Sequence, residues 1–129
     1  MAVGGLTTSG HYSRTYLASV GTAWYKANDD GSIDRKTVDA TKSAIKLGYY
    51  HLDGAEVYNT EPELGIAIKE SKVPREKLFV TSKVHQTMAD IPKAIDQTLK
   101  KLQLDYVDLF VLIPNWLILR PKRPSNIGP

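Results

Sequence analysis

The sequence predicts an α/β fold in which parallel strands are covered by helices. Strand-like runs alternate with helix-like runs from about residue 17 to residue 113, which is typical of repeated β–α units. The last strand-like run, Tyr106–Ile113, reads YVDLFVLI and is apolar at positions that would face both sides of a sheet. A strand that is apolar on both faces indicates a parallel sheet between other layers. The pattern contains four predicted strands and three predicted helices.

The first half of the pattern predicts two strands and one helix. Residues 16–22 and residues 49–53 are the short strand-like runs. Between them, Asp34 can cap a helix over residues 35–47, because its carboxylate can accept hydrogen bonds from the free N–H groups of the first turn. Gly48 can adopt the left-handed conformation that ends such a helix.

The second half predicts two further helices and two strands. The sequence Thr60-Glu61-Pro62-Glu63 fits a capping box, in which Thr60 and Glu63 each bond to a free backbone N–H at the start of a helix. Residues 72–75 end that helix, residues 78–84 form the third strand, and Asp90 caps a third helix over residues 91–102. Four apolar side chains at helical spacing form one stripe along this helix. They are Ile91, Ile95, Leu99 and Leu102.

Composition restricts the functional classes. The chain has 129 residues and no cysteine, so we predict no disulfide and no thiol chemistry, and we predict no metal site. The net charge of +3 comes from residues 114–129, since the other residues hold equal numbers of basic and acidic side chains. A nucleic-acid partner needs a clustered basic surface, so we predict none.

The chain shows neither a signal peptide pattern nor the roughly 18 apolar residues that span a bilayer, and we expect a cytoplasmic protein without a membrane partner.

Three polar side chains stand at or just beyond predicted strand ends. Asp53 closes the second strand, Tyr58 follows five residues later, and Lys83 lies near the end of the third strand. Because parallel strands end on one side of a sheet, these side chains could converge. A lysine ammonium beside a phenol favours the phenolate, and a carboxylate would hold that ammonium in place. The group would then suit a tyrosine that acts as a general acid, although each residue alone also fits a helix cap, a packed ring or a solvated strand end.

Several segments resemble the aldo-keto reductase family, and they occur in the family's order. GYYHLDGAEVYNTEPELGIAIKES (residues 48–71) resembles the family segment G-[FY]-R-H-[IL]-D-[ST]-A-x-x-Y. VPREKLFVTSKV (residues 73–84) resembles the family's third strand, and LDYVDLFVLI (residues 104–113) resembles its fourth. The turn Gly21-Thr22-Ala23-Trp24 resembles the one after the family's first strand. The resemblance implies the first half of a (β/α)8 TIM barrel, with about four parallel strands and three helices, since a whole barrel needs about 250 residues.

The resemblance also implies an NADPH-dependent oxidoreductase that reduces aldehydes or ketones to alcohols. By position, Tyr58 would be the proton donor, Lys83 would stabilise the phenolate, and Asp53 would pair with Lys83 beside the cofactor. Two further residues would lie near the nicotinamide, namely Gly21 and Thr22. Trp24 would line the pocket for a small-molecule carbonyl substrate.

Some positions depart from the family pattern. Ile113 stands where the family has the histidine that orients the carbonyl, Tyr50 replaces an arginine, and Gly54 replaces a serine or threonine. Because the catalytic histidine and the cofactor-binding half of the barrel are both missing, we expect this short, truncated chain to be inactive or impaired as an enzyme. The alternative is a non-catalytic fragment that acts as an interaction or regulatory module, or has no function. An unrelated nucleotide-binding protein would need a G-x-G-x-x-G turn, and Gly4-Gly5 provides none.

The sequence divides into three parts. We predict an N-terminal arm over residues 1–14, a partial barrel domain over residues 15–113 and an irregular basic tail over residues 114–129, where four prolines occur in 16 residues. A half barrel leaves its first and fourth strands without a closing partner. Because an exposed strand edge is a template for association, we expect self-association through these open edges.

Overall fold

The computed structural model describes residues 19–22 and 30–114, and only the backbone of residues 19 and 20. The strands are β1 (Ser19–Gly21), β2 (His51–Asp53), β3 (Phe79–Val84) and β4 (Leu109–Leu112). The helices are α1 (Arg35–Lys46), α2 (Glu61–Ser71) and α3 (Ile91–Leu102), with 3-10 turns at Glu56–Tyr58 and Arg75–Lys77. The strands form one sheet in the order β1-β2-β3-β4, and every neighbouring pair is parallel. The predicted α/β fold with four parallel strands and three helices is confirmed.

Some predictions fall outside the described residues. Trp24, the arm over residues 1–14 and residues 115–129 of the tail all lie there. Within the described part, the second, third and fourth strands are shorter than predicted, and the first strand ends at Gly21 rather than at residue 22. None of the helices in residues 30–114 has the length and apolar character that crossing a membrane requires.

The core lies between the helices and one face of the sheet. Its buried cluster draws side chains from all three helices, from β2 and β3, and from the turn before β3. The members are Ile45, Leu52, Leu64, Ile68, Leu78, Val80 and Leu102. Because neighbouring side chains on a strand point to opposite faces, the residues beside Leu52 and Val80 project from the other face of the sheet. Asp53 belongs to that second set.

Helix α1 begins and ends as predicted. Asp34 is its N-cap, and the Asp34 carboxylate accepts hydrogen bonds from the Lys36 backbone N–H and the Thr37 hydroxyl, both at 2.9 Å. Gly48 follows the helix with a φ of 95°, a left-handed conformation that glycine adopts without steric cost.

The predicted capping box at α2 is wrong. Thr60 is the N-cap residue, but its side chain makes no capping hydrogen bond. Its hydroxyl donates instead to the Thr22 carbonyl at 3.4 Å, and Glu63 Oε1 accepts from the Asp34 backbone N–H at 3.0 Å. Both side chains are buried, and their polar partners belong to other segments of the chain.

The predicted apolar stripe of α3 lies on its inward side and shares Leu102 with the row of fully buried side chains. That row is Ala94, Thr98 and Leu102, and Ile91, Ile95 and Leu99 beside it are half-buried. Helices α2 and α3 approach closely at one end of the row, where a Cβ added to Gly65 would collide with the Leu102 backbone. The Thr98 hydroxyl donates to the buried Glu61 carboxylate at 3.1 Å.

Strand β4 is less buried than its sequence predicts. Leu109 and Leu112 are 45% and 47% exposed, respectively, because among the described strands β4 pairs only with β3. The prediction of burial on both faces is therefore wrong for this part of the chain. Self-association through the edges of the sheet stays a prediction.

Candidate active site

The predicted polar residues meet at the carboxyl end of the sheet, where the strands end. Asp53 is the last residue of β2, and its Cα pairs with Thr81 of β3. Lys83 lies two residues beyond Thr81, so it projects from the same face of the sheet, opposite the helices. Its long side chain reaches sideways to the neighbouring strand.

Lys83 is the centre of the group. Its Nζ lies 2.7 Å from Asp53 Oδ2, 3.0 Å from the Gly54 carbonyl oxygen and 3.4 Å from the Tyr58 hydroxyl. The side chains of Lys83 and Asp53 are 18% and 28% exposed, respectively. The structure thus brings the three predicted residues together at an accessible but partly desolvated position, where opposite charges interact more strongly than in water. Their chemical roles stay predictions.

Tyr58 comes from the 3-10 turn that follows β2. Ala55 before the turn is buried, and the Tyr58 backbone N–H donates to the Ala55 carbonyl at 3.1 Å. Asn59 ends the turn in a left-handed conformation with a φ of 55°, which asparagine tolerates better than most residues. The Lys83 ammonium lies 5.0 Å from the centre of the Tyr58 ring, within the range of a cation–π contact.

Gly21 and Thr22 lie beside this group at the end of β1. Gly21 pairs with Asp53, and the Thr22 backbone N–H donates to the Asp53 carbonyl at 3.2 Å. The Thr22 hydroxyl oxygen is buried and has no hydrogen-bond partner among the described residues. A hydroxyl can both donate and accept, so this atom fits an amide-bearing ligand such as the nicotinamide ring system. A Cβ at Gly21 would come within 3.7 Å of Asp53 Oδ2, so the missing side chain leaves the carboxylate open.

No described histidine takes the place of the family's carbonyl-orienting one. The Ile113 side chain stands at that position, at the carboxyl end of β4. His85 Nδ1 lies 2.9 Å from the Ile113 carbonyl oxygen, and His51 Nε2 lies 2.9 Å from the Thr81 hydroxyl. One ring nitrogen of each histidine is therefore within hydrogen-bonding distance of another residue of the chain.

Glu56 is a residue of this region that sequence reasoning missed. Its carboxylate accepts hydrogen bonds from the backbone N–H groups of His85 and Gln86, at 3.0 and 2.8 Å, and from the Thr87 hydroxyl at 2.8 Å. Partial burial alone would raise the pKa of the Glu56 carboxyl, but these hydrogen bonds outweigh it and hold that pKa below its usual range. The partners lie about 30 residues away, so no local motif signals the contact.

Glu61 is the second missed carboxylate, behind the sheet. It is 1% exposed, and its Oε1 accepts from the hydroxyls of Ser82 and Thr98 at 2.7 and 3.1 Å. Lys101 Nζ lies 3.5 Å from the other carboxylate oxygen. Glu61 therefore ties α2 and α3 to the residue of β3 directly before Lys83.

Comparison with known sequences identifies relatives of the chain. The sequence model of the aldo/keto reductase family matches residues 18–113. The NAD/NADP-dependent indole-3-acetaldehyde reductase of Schizosaccharomyces pombe is 50% identical over 109 residues, covering 84% of this chain and 38% of that protein. The aldo-keto reductase family 1 member A1 of Homo sapiens is 46% identical over 81 residues, covering 57% of this chain and 25% of that protein. The chain thus spans less than two fifths of the length of either relative.

Solved structures give the same result. The aldose reductase from Schistosoma japonicum superposes with a TM-score of 0.60 at 34% identity, covering 73% of this chain and 31% of that one. An aldo/keto reductase from Brucella melitensis superposes with a TM-score of 0.60 at 37% identity, covering 73% and 35%. These likenesses confirm that the four-stranded sheet is the first half of a (β/α)8 barrel. The chain belongs to the aldo/keto reductase family.

Proposed function

We propose that the carboxyl end of the sheet carries the proton-donating half of a cytoplasmic, NADPH-dependent carbonyl reductase, which converts an aldehyde or ketone to an alcohol. The observation that carries the proposal is the position of Lys83 Nζ, which lies within hydrogen-bonding distance of both Asp53 Oδ2 and the Tyr58 hydroxyl. A structural ion pair needs only the first contact. The second places a cation beside the one phenol of the group.

The chemistry follows from these contacts. When bound, NADPH supplies the hydride that forms the new C–H bond at the carbonyl carbon. The Tyr58 hydroxyl donates its proton to the carbonyl oxygen, which becomes the alcohol. The phenolate that remains is stabilised by the Lys83 ammonium, since an opposite charge nearby favours the ionised form. Asp53 keeps that ammonium charged and in place, and the phenolate regains a proton from solvent.

The residues that would hold the nicotinamide end of the cofactor lie at β1. The buried Thr22 hydroxyl, which has no partner among the described residues, would bond to the carboxamide. The absence of a side chain at Gly21 would let the ring lie beside Asp53. Trp24, outside the described residues, would line the substrate pocket in this proposal.

Ile113 supports a second candidate function. An isoleucine side chain has no hydrogen-bonding group, so it cannot orient a carbonyl oxygen. A chain with this substitution could retain the fold as a non-catalytic interaction or regulatory module, in which Lys83 and Asp53 form only a stabilising pair. The two candidates differ in whether the phenol can transfer a proton.

NADPH oxidation in the presence of benzaldehyde, by a chimera in which the missing second half of the barrel comes from the Schizosaccharomyces pombe relative, tests the proposed function. We expect the chimera with the wild-type segment to turn over barely above background, and Ile113→His to raise its rate by about a hundredfold, the lower end of what a positioned hydrogen-bonding group contributes. Adding Tyr58→Phe should remove that gain, and Leu112→His is the matched control on the same strand. If Ile113→His has no effect, or if its gain survives Tyr58→Phe, the non-catalytic candidate is favoured.

A further inference from the structure

We propose that Glu56 is a positioning residue that holds the Tyr58 turn against the end of β3, so that the phenol stays within reach of Lys83. The inference rests on the proposed function, since the position of the phenol matters only if Tyr58 donates a proton. The position itself can be measured without any enzymatic turnover. Glu56 touches neither Lys83 nor the phenol in the described hydrogen bonds, so it acts through the backbone that carries Tyr58.

The side chains of Lys83 and Tyr58 are held in place by different kinds of structure. Lys83 belongs to β3, which is paired on both sides, whereas Tyr58 belongs to a three-residue 3-10 turn outside the sheet. The distance from Lys83 Nζ to the Tyr58 hydroxyl is 3.4 Å, near the upper limit for a hydrogen bond. A small displacement of the turn would therefore break the contact.

Glu56 provides a direct polar link between the turn and the segment after β3. Its carboxylate receives two backbone N–H groups and one hydroxyl from three consecutive residues. Hydrogen bonds to an ionised acceptor are shorter and stronger than those between neutral groups. Both carboxylate oxygens accept hydrogen bonds. The contact therefore fixes the orientation of the Glu56 side chain as well as the distance between the turn and the segment after β3.

The same segment also reaches β4. His85, whose backbone N–H donates to Glu56, places its ring Nδ1 2.9 Å from the Ile113 carbonyl oxygen. Glu56 thus lies in a polar chain that runs from the Tyr58 turn through the end of β3 to the end of β4. Replacing the carboxylate should loosen the turn while leaving the ion pair between Lys83 and Asp53 intact.

NMR on the full chain tests this inference in two measurements. The first is hydrogen exchange of the His85 and Gln86 backbone amides, which we expect to become about tenfold faster or more in Glu56→Ala. The second is the nuclear Overhauser effect between the Tyr58 ring and the Lys83 side chain. We expect it to disappear in Glu56→Ala and to return in part in Glu56→Gln, which keeps one acceptor oxygen. Glu76→Gln, an exposed carboxylate of the other 3-10 turn, is the matched control and should change neither.

Two results would overturn the inference. One is unchanged amide exchange in Glu56→Ala. The other is faster exchange with an unchanged Tyr58–Lys83 effect, which would make Glu56 a structural link only. Neither measurement depends on cofactor or substrate. The positioning role of Glu56 can therefore be tested even if the proposed reductase activity is not found.

Discussion

In the part of the chain that the structure describes, each end of the sheet holds one close ion pair, and the two pairs have different neighbours. At the amino end, Arg75 Nη2 lies 2.6 Å from Asp108 Oδ2, and at the carboxyl end Lys83 Nζ lies 2.7 Å from Asp53 Oδ2. The side chains are 18% and 23% exposed in the first pair and 18% and 28% exposed in the second. Distance and burial alone therefore do not distinguish them.

The surrounding partners do distinguish them. Arg75 also donates to the carbonyls of Leu78 and Tyr106, and Asp108 Oδ2 also accepts the Val80 backbone N–H at 2.8 Å. Most of these contacts are to backbone groups, and they join β3 to the start of β4. The guanidinium carbon additionally lies 4.0 Å from the centre of the Tyr106 ring. The amino-end pair is thus surrounded mostly by backbone groups, although Arg75 Nε is buried without a partner among the described residues.

At the carboxyl end, the neighbours of the ion pair include side chains with hydroxyl groups. Lys83 has a phenol as its third neighbour, and the nearby Thr22 hydroxyl has no partner among the described residues. In barrels of this type, strand carboxyl ends carry function and amino ends carry stability. The chemical identity of a pair's other neighbours, backbone groups at one end and a phenol at the other, therefore separates the two pairs better than their length does.

The largest expected effect is on the amino-end pair. Arg75→Met removes the cation from Asp108 and the donors from two backbone carbonyls. We expect the free energy of unfolding to fall by about 2–3 kcal/mol, between the values for exposed and buried pairs. Urea unfolding followed by circular dichroism measures it. A loss below about half a kcal/mol, as for an ordinary surface substitution, would contradict the structural role.

A smaller effect on stability is expected at the carboxyl end. Lys83→Met keeps the length of the side chain and removes the charge, and the freed Asp53 carboxylate can turn to solvent. We expect the free energy of unfolding to change by less than about 1 kcal/mol, because functional groups are not arranged for stability. The same urea experiment measures it. A loss as large as that of Arg75→Met would remove the distinction between the two ends.

The smallest effect is expected from a third ion-pair group, on the surface of α1 and α2. Hydrogen bonds from Arg35 and then Lys42 lower the pKa of Glu70 from its ordinary value of 4.5 to about 2. Since the folded-state pKa is depressed, the group contributes stability above pH 4.5 that is lost as the pH falls towards 2. These side chains face solvent, so the contribution should be slight and weaker in high salt.

Urea midpoints at pH 5.5 and pH 2.5 for the wild type and Glu70→Gln check this expectation. The variant should show a slightly smaller drop than the wild type at low salt, and the difference should vanish in 1 M salt. An equal drop in both proteins at low salt would show that Glu70 contributes nothing.

The features that the sequence predicts best are those that depend on residues close together in the chain. The bounds of α1 and α3 could be predicted because Asp34 and Asp90 cap helices from within the same segment. The meeting of Asp53 and Lys83 could be predicted because parallel strands end on one side. These inferences need only periodicity and the geometry of a β–α unit.

The errors arise where partners lie far apart in the chain. The capping box failed because Thr60 bonds to Thr22 and Glu63 to Asp34, 38 and 29 residues away. The burial of Thr98 on α3 could not be predicted, because its partner Glu61 lies 37 residues away. The role of Glu56 as a link between segments could not be predicted either, since its partners begin 29 residues later. Tertiary contacts decide these features, and a single sequence does not specify them locally.

The most direct test of the difference between the two ends compares the two ion pairs in the completed chimera that carries Ile113→His. The measurement is the rate of NADPH oxidation with benzaldehyde, expressed per folded molecule under conditions where each protein is fully native. We expect that adding Lys83→Met lowers this rate by about a hundredfold, a typical contribution from acid catalysis, while adding Arg75→Met leaves it unchanged. Equal losses from the two substitutions, or retention of the rate in Lys83→Met, would contradict the assignment of chemistry to the carboxyl end.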